Sequence, residues 1–98
     1  MDAAIDKATA RLIAQSNRIG LEFLLADLDL AQTFLNVAEV TVVEDARTRN
    51  RENAREAYQT VLRLLPRIVL SLEDREEFNR RLSALKSRLE ELGYPVES

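Results

Sequence analysis

The sequence predicts an all-α fold, an antiparallel three-helix bundle with the first helix extended at its N-terminus. Three observations carry this. Only two Gly and two Pro interrupt 98 residues rich in Ala, Leu, Glu and Arg, so helix is the favoured backbone state. Apolar residues recur at spacings of three and four along three separate stretches, which is the period of a helix face. The 46% hydrophobic and 32% charged fractions belong to a globular protein, and the length suffices for one core but not two. Residues 1–98 therefore read as a single domain, with an N-terminal extension at 1–18, a bundle at 19–93 and a tail at 94–98.

The first helix is expected over roughly residues 17–42 and is apolar on two sides. One side carries Leu21, Leu24, Leu28, Ala31, Leu35, Ala38 and Val42; the other carries Phe23, Ala26, Leu30, Phe34 and Val37. Upstream, Ile5, Ala8, Leu12 and Ile19 continue the second line backward, so an unbroken helix would bear a stripe from residue 5 to 37, about 48 Å long. The weak point is Ser16 to Gly20. A break there would leave a short fourth helix free to fold back over the second face.

A turn is expected between Val40 and Glu44, where β-branched residues cluster and Thr41 with Glu44 offers a capping box. Extending the core line further would bury Asp45, Arg49, Glu52 and Glu56, so a new helix must start, although a single rod over residues 3–65 is the competing arrangement. This second helix, about 45–65, presents Ala54, Ala57, Val61 and Leu64 flanked by Tyr58, Leu62 and Leu65, and Pro66 ends it. The link that follows holds Ile68, Val69, Leu70 and Leu72, apolar enough to close one end of the bundle.

The third helix, about 72–92, opens at Ser71 with Glu73, Asp74, Glu76 and Glu77 near its positive end. It buries Phe78, Leu82, Leu85, Leu89 and Leu92, and Glu76 with Arg80 and Glu77 with Arg81 are spaced to pair. Gly93, with Tyr94 positioned to meet Leu89, predicts a Schellman ending, and Pro95 prevents resumption.

Chemistry is constrained by what is missing. With no Cys and no His, thiolate and imidazole catalysis and most zinc or iron sites are excluded. Asp27 and Asp29 diverge by about 200° on a helix and cannot converge as an acid/base pair. Glu22 and Asp29 share a face, but two carboxylates make a poor metal site. We therefore expect no catalytic, cofactor-binding or metal-binding residues, and no enzyme. The net charge of -3 recruits neither nucleic acid nor an anionic membrane. The apolar windows are broken by Glu22, Asp27 and Asp29, so neither signal peptide nor membrane span is expected, and a cytoplasmic location is the default.

Two polar constellations remain. Arg47, Arg51 and Arg55 at i+4 spacing form a face able to hold phosphates, the alternative function being a nucleic-acid or phosphate-binding regulator. Against it, residues 44–71 hold six Arg and four acids, with no aromatic interleaving the Arg run. Second, Glu39 lies on the core line five residues before the turn, so a hairpin would bring it near Arg47, Asn50 or Arg51 as a partly buried cluster that sets register.

Within NAREAYQTVLRLLP, the spacing of Ala54, Tyr58, Val61 and Pro66 resembles the second helix of a tetratricopeptide repeat. The three-helix arrangement is similar to small tetratricopeptide-like bundles such as microtubule-interacting-and-trafficking domains. The resemblance implies a binding module that accepts partner helices in interhelical grooves, and carries over no site residues. The reading that follows is protein interaction through the stripe Ile5, Leu12, Ile19, Phe23, Leu30, Phe34 and Val37, with the partner either a second copy in a homodimer or a helix of another protein.

Overall fold

A computed structural model describes residues 7–95, and Ile5 lies outside the described residues. Helix α1 runs unbroken from Lys7 to Val40, α2 from Glu44 to Leu64, and α3 from Leu72 to Glu91, with a short 3-10 turn at Leu65–Arg67. This is the all-α three-helix bundle with an extended first helix. Its chain directions are legible from contacts. Gly20 of α1 lies against Ile68 beyond the end of α2, so α1 and α2 are antiparallel. Asp29 then meets Arg81 while Asn36 and Glu39 meet Arg88, so α3 returns parallel to α1.

The core is built from one stripe of each helix. Leu24, Leu28, Ala31 and Leu35 from α1 meet Ala54, Tyr58 and Val61 from α2 and Phe78, Leu85 and Leu89 from α3, all essentially inaccessible. Ala31 and Ala54 let the backbones of α1 and α2 approach, and Tyr58 and Phe78 fill the space between layers. Val42, placed on the core line by periodicity, is instead 89% exposed, because α1 stops at Val40 and Val42 belongs to the turn.

Gly20 does not break α1. A single Gly costs a helix about 1 kcal/mol, and here it makes room, since a Cβ at that position would overlap Ile68 Cδ1. Among the described residues the first segment does not fold back: every side chain from Lys7 to Ser16 is exposed. The helix therefore overshoots its bundle, and the dimensions of 62 × 19 × 18 Å follow.

The turn between α1 and α2 is closed differently from the capping box expected of Thr41 and Glu44. Thr41 Oγ1 donates back to Val37 O at 2.6 Å, and the residue preceding α2 is Val43, which supplies no side-chain cap. Arg47 closes the turn instead, donating from Nε (3.1 Å) and Nη2 (2.9 Å) to the Thr41 carbonyl left free at the end of α1. The single-rod alternative is excluded by the break at residues 41–43.

At the other end Ile68 and Leu70 pack on the core, whereas Val69 and Leu72, also expected to help close it, are largely exposed. An extended link alternates its side chains, which turns Val69 outward between Ile68 and Leu70, whereas Leu72 already belongs to the first turn of α3. Ser71 caps α3 by accepting from the Asp74 amide at 3.1 Å. Gly93, at φ 90°, sits in the left-handed region, with Gly93 N bonded to Glu90 O and Tyr94 N to Leu89 O, the two bonds of a Schellman ending.

Candidate functional site

The second face of α1 is left open by this packing. Leu12, Ile19, Phe23, Leu30 and Val37 are 65%, 58%, 52%, 46% and 42% exposed, in one line along about 37 Å of helix. Phe34 departs from the rest: it leans onto the core and is only partly accessible. The stripe is bordered on the α2 side by two depressions that share Phe23. One, about 310 Å³, lies at the root of the extension among Ser16, Ile19, Gly20, Leu24, Leu64, Arg67 and Ile68. The other, about 420 Å³, follows Leu30 and Phe34 past Asp27 to Asn53, Glu56, Ala57 and Thr60.

Asp27 is the one acid in this border that burial perturbs. Its Oδ2 is enclosed without a protein partner, and desolvation raises the carboxyl above the usual aspartate value. Burial likewise pushes the Tyr58 phenol up, with the Glu90 carboxylate adding to the effect.

The polar cluster predicted at the hairpin does not assemble as expected. Arg47 is committed to Thr41 O, and Asn50 donates to Ala46 O at 2.9 Å within its own helix. Glu39 turns to α3, accepting from Arg88 Nη2 at 2.8 Å. Only Arg51 stays near it, the two sharing a cavity of about 70 Å³ with Arg88 and Glu91. The physical reason is rotation. Glu39 sits on the α3 side of the core line, and Arg88 reaches it while also donating to Asn36 Oδ1 at 3.0 Å and to Gln32.

Arg81 bridges to Asp29 rather than to Glu77, which pairs with Arg80 at 2.7 Å. The signal for this α1–α3 seam was present. Asp29, Gln32, Asn36 and Glu39 repeat at three, four and three, and Arg81 and Arg88 stand seven apart, so two polar lines were there to be matched.

The Arg47, Arg51 and Arg55 face is half-buried. Arg55 stacks 6.0 Å from the Tyr94 ring centroid, and Arg51 Nε and Arg55 Nε are enclosed by the protein. These guanidinium groups serve the contacts between helices more than they face solvent.

Among the described residues, no group of three or more His, Cys, Asp or Glu side chains is arranged to hold a metal ion, and no helix is long and apolar enough to cross a membrane. Compared with family models, curated proteins and solved structures, the chain has no match.

Proposed function

We propose that this chain is a non-catalytic self-association module of the cytoplasm, a homodimer formed through the outer stripe of α1. The observation that carries the reading is the line Leu12, Ile19, Phe23, Leu30 and Val37, each 42% to 65% exposed on a helix that overshoots its own bundle. Fully burying a large apolar side chain is worth about 1.5 to 3 kcal/mol, so a continuous row of five is a strong drive toward cover. Segments of about a dozen residues are also marginal helices in water, and every side chain from Lys7 to Ser16 is exposed. A second helix laid along the stripe supplies both needs.

The spacing in α2 that resembles a tetratricopeptide helix supports an interaction module in general terms. Ala54, Tyr58 and Val61 are used internally, so the proposed surface is on α1.

Sedimentation equilibrium of the intact chain tests the proposal. The protomer is 11.2 kDa, and a concentration-dependent shift to twice that mass is expected. A strictly monomeric chain at all concentrations would oppose self-association and leave a heterologous partner helix as the cover.

A further inference from the structure

We propose that two copies pair through α1 in one antiparallel register, with the two-fold axis crossing the exposed face of the helix between Leu24 and Leu25. Residue i of one protomer then lies opposite residue 49 − i of its partner, as the sum 12 + 37 shows for Leu12 and Val37. This deepens the self-association reading and rests on it.

The spacing of the stripe carries the inference. Between Leu12 and Val37 its exposed apolar members are Leu12, Ile19, Phe23, Ala26, Leu30 and Val37, separated by seven, four, three, four and seven residues, while Ala8 falls beyond the end of the partner's α1 in this register. That order reads the same from either end. An isologous contact places a patch against itself, and an antiparallel helix pair reverses the order of residues, so only a spacing with this mirror symmetry matches apolar groups throughout. In the proposed register Leu12 faces the partner's Val37, Ile19 faces the partner's Leu30, and Phe23 faces the small Ala26 of the partner subunit. The two hydroxyl residues on the line, Ser16 and Thr33, fall opposite each other.

The overshoot of α1 fits the same register. Thr9 to Arg18 come to lie along the partner's residues 40 to 31, so the part of the helix without a bundle is laid on the far half of a helix that has one. Val40, 80% exposed in the single chain, is covered in this way. Side chains on the flanks of an antiparallel pair meet two residues off this rule, so Ile13 comes against the partner's Phe34, which flanks the stripe on the same side.

Charge separates this register from its nearest rival. Sliding by one heptad, to i opposite 42 − i, also matches Leu12 with Leu30, Ile19 with Phe23 and Ala8 with Phe34, but leaves Ala26 opposite Ser16. On its flanks, where side chains again meet two residues off that rule, it sets Glu22 against Glu22 across the axis and brings Ile13 to Asp27. In the proposed register the same flank offset puts Glu22 beside Asp29, whose charge Arg81 already balances.

The chain has no Cys, so introduced thiols report alone. Ile19→Cys and Leu30→Cys chains, mixed and oxidised, are expected to give the linked heterodimer several times more readily than Leu12→Cys mixed with Leu30→Cys. A Leu12→Cys and Val37→Cys mixture provides a second pair for the same register. Sedimentation of the unsubstituted chain runs in parallel. A dimer in which the Leu12→Cys and Leu30→Cys pair links best, or in which neither proposed pair links, overturns the register alone. A monomer at every concentration overturns the register and the self-association reading together.

Discussion

Leu28 and Leu30 stand two residues apart on α1, the first 1% and the second 46% exposed, and the contrast between them tests which face of the helix is internal. Leu28→Ala empties part of the core and should cost about 3 kcal/mol. At about 4 to 8 °C per kcal/mol for a domain of this size, Tm falls by about 12 to 24 °C. Leu30→Gln keeps helix propensity nearly constant and removes a group already half in water, so the isolated protomer should lose about 1 kcal/mol or less. In a dimer the same change strikes twice. About 2 kcal/mol per protomer, from lost burial and an enclosed amide, amounts to about a thousandfold in Kd.

Thermal unfolding followed by circular dichroism over a range of protein concentrations separates these effects. The unsubstituted chain should gain about 0.7 kcal/mol per protomer for each tenfold rise in concentration once dimers dominate, or about 3 to 5 °C in Tm. Leu28→Ala should keep that slope from a lower starting point. Leu30→Gln should lose the slope and sit near the dilute-limit Tm of the unsubstituted chain. If Leu30→Gln at low concentration falls as far as Leu28→Ala, the assignment of inner and outer faces is wrong. If the unsubstituted chain shows no slope across about a thousandfold in concentration, association is not linked to stability and the proposal fails.

Three further outcomes follow from the described contacts. Arg88→Ala removes the donor shared by Gln32, Asn36 and Glu39 and should cost about 1 to 2 kcal/mol in denaturant titration, whereas Glu39→Ala, at a side chain 69% exposed, should stay within about 0.5 kcal/mol. Asp27 has a carboxyl pKa raised in the folded chain, so the native state holds its proton more tightly than the unfolded one and stability falls as pH rises through that window; Asp27→Asn should therefore raise Tm at pH 7, the difference closing at acid pH below the ordinary aspartate value of about 3.9. Gly93→Ala places a Cβ at φ 90° and should cost about 1 kcal/mol or more, while Ser71→Ala should cost about 1 kcal/mol by uncapping α3, both read as shifts in the urea midpoint.

The helices and their ends were largely legible in the residues, because the signals are local. Pro66 cannot continue a helix, Ser71 offers an oxygen to the Asp74 amide, and Gly93 accepts a left-handed φ; none of these needs to know what lies across the bundle. The turn at residues 41–43 was legible in position but not in mechanism. Its closure depends on Arg47 reaching six residues back to Thr41 O, a contact that exists only once α2 has folded onto α1.

Periodicity alone determined that α1 has two apolar faces, that Leu28 and Leu35 share one, and that Phe23 and Leu30 share the other, since 100° per residue is a property of the backbone. It also holds the mirror spacing about residues 24 and 25. Tertiary structure alone decided which helix each face meets. It turned Glu39 to Arg88 instead of to the hairpin, drew Phe34 partly inward, and kept α1 unbroken through Gly20 by seating Ile68 there. The reason is that the rotation of one helix about its axis relative to its neighbours is set by how all three stripes interlock, and a shift of a few tens of degrees reassigns every residue at the border of a face.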